Sequence, residues 1–311
     1  MNALMAYIMR GRWQAISSVI VLAMVSLVLM PLSWPLAIMS AAVIGLVTLV
    51  QGPKEGILCL LIAALLMGVV GMVLLGNPVV AIGFGLLIWL PVWLLSLVLV
   101  KTTSLNLSVL LSAAVGTVFI LLLYAILGDP AEWWYQHFVN DVIPALEKAG
   151  MVLNDKPALE ANLRPASKLM PGVMGVFIVV GAYLGLFLAR RWQAVLYNPG
   201  GFQAEFYRLR LGKIAAITGL LLLAISSIVP GLMSELAMNL FQLMVVVFLL
   251  QGLAVGHVLV KSRSTNTAWL VVLYILLFFV FPYGLLLIAL TGLMDNWVNL
   301  RQRFAKPTSN I

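Results

Sequence analysis

The sequence predicts an all-α, polytopic membrane protein of about ten transmembrane helices (eight to ten), with the N- and C-termini cytoplasmic. Three observations lead there. Of 311 residues, 63% are hydrophobic and only 9% are charged, more apolar surface than a soluble core needs. Apolar runs of about 18 residues or more recur along the chain, the length a helix needs to cross a bilayer. No stretch alternates apolar and polar residues in segments of about ten, as a transmembrane barrel would.

The apolar segments fall at 13–30, 35–51, 56–75, 79–100, 106–127, 170–189, 213–230, 236–260 and 265–299. The first follows Arg10 and Arg12 and runs without a small-residue cleavage site into the second, so it reads as a retained span and not as a signal peptide. The last is too long for one span. Pro282 in "FFVFPYGLL" interrupts it at Phe281-Pro282, where a proline ends or kinks a helix. Two spans of about 17 residues fit, with one long kinked helix as the alternative.

Charge orients the spans, because cytoplasmic loops carry an excess of Lys and Arg. Ten spans with the N-terminus inside place Arg10, Arg12, Lys54, Lys101, Arg190, Arg191, Arg208, Arg210, Lys213, Lys261, Arg263, Arg301, Arg303 and Lys306 on the inside. Lys148, Lys156, Arg164 and Lys168 stay outside, a bias of fourteen to four. The net charge of +8 is therefore mostly a topology signal. Scattered over short loops, these cations form no single footprint, and nucleic acid is not an expected partner. The expected organisation is spans one to five in 1–128, an extracytoplasmic loop in 129–169, spans six to ten in 170–300 and a cytoplasmic tail in 301–311. The five-plus-five arrangement has the parity of an inverted repeat. Cys59 lies within a span, so no disulfide or cysteine-based metal site is expected.

The outer loop opens "GDPAEWWYQHFVNDVIPALEKAG". Asp129 can cap a helix, Pro130 suits its first position, and Glu132 completes a capping-box-like pair. Trp134, Phe138, Val142 and Leu146 recur at four-residue steps, which predicts an amphipathic helix at the membrane interface, either an anchor or a lid. His137 has no ligand partners at metal spacing.

The cytoplasmic elbow at 190–213 holds the most basic short stretch, "YNPGGFQAEFYRLRLGK". Asn198-Pro199-Gly200-Gly201 is turn chemistry, and "FQAEFYRLRL" reads as a short helix with Phe202, Phe206 and Leu209 on an apolar edge. Glu205 and Arg208 are spaced to pair on another face. No nucleotide-hydrolase phosphate loop is present. The elbow is a candidate for docking anionic lipid or a protein partner, through Gly200, Gly201, Phe202, Glu205, Arg208 and Arg210.

Polar residues inside spans are few. In the eighth span, Glu235, Asn239, Gln242 and His257 fall within about 80° of one another at about 100° per residue. Such a face turns toward the bundle interior, for interhelical hydrogen bonding or for a ligand. In "GLLIWLPVWLL", Trp89 and Trp93 flank Pro91 at mid-membrane, although tryptophan prefers the headgroup zone. They either pack closely or stack a ligand. Gly181-x-x-x-Gly185 and Gly252-x-x-x-Gly256 are small-residue packing motifs. No catalytic motif appears, so no enzyme activity, cofactor or metal is expected. An enzyme reading would require Glu235, His257 and Asp295 to converge.

The C-terminal "LLLIALTGLMDNWVNLRQRF", with Gly292, Asp295, Trp297 and Arg301 in order, resembles the closing signature of the YybS-like family of bacterial integral-membrane proteins. The "NPGGFQAEF" elbow is similar as well. The resemblance implies the bacterial cytoplasmic (inner) membrane. It also implies a distant similarity to the substrate-capturing S components of energy-coupling-factor transporters. The expected function is transporter-like binding of a small uncharged or amphipathic solute or lipid, at Glu235, Asn239, Gln242, His257, Trp89 and Trp93. The alternative is a non-transporting scaffold or subunit that docks a partner through its basic elbow.

Overall fold

The computed structural model describes residues 2–151, 155–262, 266 and 268–304. Arg263, Lys306 and all of the expected tail beyond 304 lie outside the described residues. Every regular element among the described residues is helical.

The first group comprises α1 (Asn2–Ile8), α2 (Arg12–Val28), α3 (Ser33–Gln51), α4 (Pro53–Leu75), α5 (Val79–Ile82), α6 (Leu90–Thr102) and α7 (Leu105–Leu127). Then come α8 (Pro130–His137), α9 (Ile143–Lys148) and the long α10 (Lys156–Tyr197). The last group is α11 (Gly201–Tyr207), α12 (Lys213–Ile228), α13 (Leu232–Ser262), α14 (Ala268–Phe279), α15 (Tyr283–Val298) and α16 (Leu300–Phe304). Among the described residues, six helices are long and apolar enough to cross a membrane: Met30–Gln51, Pro53–Leu74, Val79–Thr102, Leu105–Leu127, Lys156–Tyr197 and Leu232–Ser262. Four shorter apolar helices accompany them, α2, α12, α14 and α15. Each of these ten helices overlaps one of the apolar segments read from the sequence. The segment 265–299 is divided at Phe281-Pro282 as expected, although its helices have 12 and 16 residues in place of about 17 each. The outward surface is apolar too: Ile214 and Phe279 are each 84% exposed, as befits a molecule immersed in lipid.

Two stretches widen into π-helix, Gly83–Trp89 and Phe138–Val142. Each precedes a proline, Pro91 or Pro144. Proline lacks an N–H and its ring crowds the carbonyl four residues back, and a π turn absorbs both faults. Val79 to Thr102 therefore runs as one helix through Pro91, and Leu90 donates to the Gly85 carbonyl.

Two apolar cores flank α10. One gathers α2, α3, α4 and the start of α6 around Ile44, Met67 and Trp89. The other gathers α7, α12, α13 and α15 around Ile120, Leu243 and Phe248. Helix α10 contributes Ala189 and Trp192 to the first core and Val179, Tyr183 and Leu186 to the second. With 42 residues it is about 63 Å long at ~1.5 Å per residue, and it includes 156–169, which the sequence reading left in the loop. Asp129 and Asp155 cap α8 and α10 by accepting from the Glu132 and Ala158 N–H groups. The reciprocal limb of the expected capping box is replaced: Glu132 bonds Gln136 and faces Arg164 of α10. Trp134, Phe138, Val142 and Leu146 are half-buried, while Gln136, Asn140 and Glu147 are exposed. His137 has a carboxylate neighbour that the sequence reading passed over, Asp141 at 2.7 Å. No third metal-ligating group joins them among the described residues.

Candidate functional site

The polar face of α13 divides. Asn239 is fully buried, and its amide inserts into the backbone of α10 just beyond Pro171. Its Oδ1 accepts from the Gly172 N–H at 2.8 Å, and its Nδ2 donates to the Lys168 carbonyl at 3.0 Å. In an α-helix those two backbone groups are an i, i−4 pair, and the amide reaches both of them. Nδ2 also reaches Tyr124 Oη and the Glu235 carbonyl. Gln242 supports the same joint through the Leu169 carbonyl and Asn239 Oδ1, each at 3.4 Å. A Cβ on Gly172 would stand 2.6 Å from Gln242 Nε2, so the joint requires glycine there. Glu235 pairs with Lys168 at 2.9 Å.

His257 is elsewhere. Eighteen residues along α13 from Asn239, about 27 Å at ~1.5 Å per residue, it sits edge-on to Phe206 and Tyr274. Glu235 is farther still, so the convergence of Glu235, His257 and Asp295 that an enzyme reading needs does not occur.

The two deep tryptophans hold helices together. Trp89 is fully buried and donates from Nε1 to Ser40 Oγ of α3 at 2.8 Å. Trp93 donates to the Pro53 carbonyl at 3.1 Å, at the start of α4. Beside them, a cavity of about 520 Å³ opens between α3, the 79–102 helix, α7 and α10. Trp34, Ile38, Phe84, Phe119, Phe177 and Gly181 line it, together with further aliphatic side chains. Several lining residues are also exposed apolar surface: Leu27, Trp34, Val79, Leu87 and Phe177. The cavity thus opens sideways through the apolar flank of the molecule, toward the end that carries α8. The motif Gly181-x-x-x-Gly185 is not a uniform packing face. A Cβ on Gly185 would meet Val92 at 2.6 Å, whereas one on Gly181 would meet nothing within 4 Å. Gly185 packs and Gly181 faces the cavity. Gly252 and Gly256 do both pack, against Ile288 and Leu273.

At the opposite end, the elbow and the C-terminal signature meet. Helix α11 ends at Tyr207 and residues 208–212 are not helical, so the expected short helix is four residues too long. Gly200 has φ 84°, a left-handed turn that places α11 back on α10. Glu205 does not pair with Arg208, because the helix ends before Arg208 can turn onto that face. It takes both a Nε and a Nη2 hydrogen bond from Arg190 of α10 instead. Arg208 is exposed, and its side chain forms no ion pair or hydrogen bond among the described residues; only its backbone N–H is engaged, by the Glu205 carbonyl. Phe202 and Phe206 pack on Phe187.

Three consecutive N–H groups in the non-helical segment are each held by a side-chain oxygen from a different helix. Arg210 N–H donates to Asn106 Oδ1, Leu211 N–H to Gln251 Oε1, and Gly212 N–H to Asn296 Oδ1, all at 2.9–3.0 Å. Arg301 donates to the Tyr207 and Leu209 carbonyls. Buried Asp295 lies beneath: its Oδ2 is 3.2 Å from Arg301 Nε, 4.0 Å from Arg210 Nε and 3.3 Å from Gln251 Nε2. Arg301 Nε is close enough for an ion pair but not aligned for a hydrogen bond, and Asp295 Oδ1 has no hydrogen-bond partner. Burial pushes the Arg301 guanidinium down from its usual pKa; Asp295 opposes that shift and Arg210 adds to it. Buried backbone groups outside a helix must find partners elsewhere, and this hub supplies them. Gly292 admits α13 against α15: a Cβ there would stand 2.1 Å from the Phe248 carbonyl oxygen. Trp297 is 44% exposed and stands outside the hub. The sequence signal that could have found the hub was the pairing of an intramembrane-end acid, Asp295, with arginines in two loops.

A family model described as "Predicted membrane protein (DUF2232)" matches residues 15–296. The chain belongs to that family. Membership makes it a membrane protein and assigns it no activity. The match begins within α2 and ends at Asn296, so it takes in the cavity, the Asn239 joint and Asp295, but not Arg301. Comparison with curated proteins and with solved structures finds no match.

Proposed function

We propose that the chain is a transporter-like membrane protein that binds an amphipathic, lipid-like molecule in the lateral apolar cavity. The cavity itself carries the reading. Its volume, about 520 Å³, lies within the ~300–1,000 Å³ of small-molecule sites, which are mostly apolar. Its mouth is rimmed by exposed apolar side chains, which suits a ligand arriving from the bilayer. Asn239 and Gln242 act in this reading as the joint that fixes α10, and Trp89 and Trp93 as the packing that fixes one cavity wall. All ten apolar helices lie in the bilayer, and the elbow end, rich in Arg and Lys, faces the cytoplasm of a bacterial cell. The YybS-like resemblance and the analogy with S components agree with a binding subunit, and no cofactor or nucleic acid is invoked.

The test is native mass spectrometry of gently extracted protein, comparing wild type with Gly181→Phe. A stoichiometric small molecule or lipid on the wild type, lost on filling the cavity, supports the reading. Equal occupancy of both overturns the cavity assignment. One observation favours a second reading, docking of a protein partner at the elbow: the unpaired, exposed Arg208. Charge reversal at Arg208 would then release a co-purifying protein, and its unchanged retention would dismiss docking there.

A further inference from the structure

Two cavities share one seam. The lateral apolar cavity is bounded by α3, the 79–102 helix and α10, with α7 at one side. A second cleft of about 310 Å³, at the elbow end, is lined by the same three helices through Leu49, Leu99, Val100, Arg190 and Gln193, with Glu205 of α11. Along α10, Gly181 in the first cavity and Arg190 in the second are nine residues apart, about 14 Å of helix.

Between the two, small side chains close the seam. A Cβ on Gly45 would stand 2.8 Å from Ala189 Cβ and 3.2 Å from both Ser96 Oγ and Val92 Cγ1. Val92 also touches Gly185, as described above. Ser96 Oγ is buried here without a hydrogen-bond partner, an orphan hydroxyl in an otherwise apolar constriction. Such groups ordinarily find a partner, so this one has capacity for a polar group that passes.

The two ends of the seam differ in chemistry. The cleft holds a guanidinium with 10% side-chain exposure. Of its five N–H donors, two serve Glu205 and one serves Gln193 Oε1, leaving one on each of Nη1 and Nη2. Glu205 beside it supplies a negative group, so the cleft presents both signs. The complementary headgroup carries both as well: a phosphate for Arg190 and an amine for Glu205. The apolar cavity suits a hydrocarbon chain.

We infer that the seam between α3, the 79–102 helix and α10 is a single transbilayer path for a zwitterionic phospholipid, gated where Gly45, Val92, Ser96, Gly185 and Ala189 meet. The chain of the lipid occupies the apolar cavity and the cleft at Arg190 and Glu205 receives its headgroup. This rests on the ligand-binding reading above and adds the path, the gate and the class of cargo.

The test uses the full-length protein in vesicles of phosphatidylethanolamine and phosphatidylglycerol, with a fluorescent phosphatidylethanolamine followed across the bilayer. Val92→Ala removes the methyl groups that touch Gly45 and Gly185 and should speed movement several-fold over wild type. Val92→Phe should slow it at least ten-fold while native mass spectrometry still finds lipid bound. Val92→Ile serves the same purpose if the phenylalanine variant does not fold. Movement at the wild-type rate in Val92→Ala and in the enlarged variant overturns the gate. Bound lipid that the wild type does not move overturns the path. Movement of soluble phosphoethanolamine, with the lipid static, overturns the lipid assignment. Absence of any bound lipid or solute from the wild type overturns the underlying ligand-binding reading, and the inference with it.

Discussion

Replacing Asp295 with asparagine changes one charge at the centre of the elbow hub and little in volume. The carboxylate is fully buried, and its nearest cation, Arg301, has a side chain only 14% exposed. Breaking a buried pair from one side costs about 3–5 kcal/mol, because the surviving charge stays out of water without its partner. Some compensation remains. Arg301 keeps its bonds to the Tyr207 and Leu209 carbonyls, and Arg210, 39% exposed, can turn to solvent. The lower end, about 3 kcal/mol, is therefore expected. Arg301→Met should cost a similar amount, since it strips two backbone carbonyls of their donor and leaves Asp295 with the Gln251 amide and the more distant Arg210. The double variant removes both buried charges, so its loss should fall short of the sum of the single losses by about 2 kcal/mol or more. The assay is reversible unfolding in mixed micelles, titrated with denaturing detergent and followed by tryptophan fluorescence. A loss below about 0.5 kcal/mol for Asp295→Asn, or additivity within about 0.5 kcal/mol, would refute the claim that this pair fixes the elbow.

Other expectations follow from the same geometry. Asn239→Leu leaves the Gly172 N–H and Lys168 carbonyl without their bridge; a loss of about 1–3 kcal/mol is expected in the same unfolding assay, and no change there would contradict a stabilising role for the bridge. Arg208→Glu should leave stability within about 0.5 kcal/mol, whereas Arg210→Glu brings a second carboxylate to Asp295 and should destabilise strongly; equal effects in parallel melts would contradict the separation of the two arginines. Trp89→Phe deletes the bond to Ser40 and should cost about 1 kcal/mol or more, with a fall in melting temperature as the readout.

The helices were legible because apolar runs of spanning length leave few alternatives, and Pro282 marks the break in the last run. The extent of α10 was not: Lys156 to Leu169 is polar, contains Pro165 and precedes Pro171, all of which reads as loop. What sustains the helix there comes from other parts of the chain, with Asn239 bridging the backbone at Pro171 and Arg164 facing Glu132. The partner of Glu205 was misread for a related reason. A three-residue spacing to Arg208 predicts a pair only if the helix continues, and three N–H groups captured by Asn106, Gln251 and Asn296 stop it. Asn239 and Gln242 were correctly seen as the polar positions of their span, yet whether an intramembrane amide serves a ligand or a neighbouring helix depends on what faces it. The cavity left no sequence signal at all, because apolar residues lining a hollow look the same as apolar residues meeting lipid. Gly181 shows this most clearly, since its motif promised packing and its position offers open space.

The proposed function stands or falls with a ligand in the lateral cavity. Native mass spectrometry of wild-type protein and Gly181→Phe, both taken gently from the same membrane, tests it most directly. A Cβ at 181 meets nothing within 4 Å, so the new ring can enter the cavity without disturbing the helices. A stoichiometric lipid-like mass is expected on the wild type, with its loss from a variant that melts at the same temperature. The same bound mass on both proteins, or none on either, would contradict it.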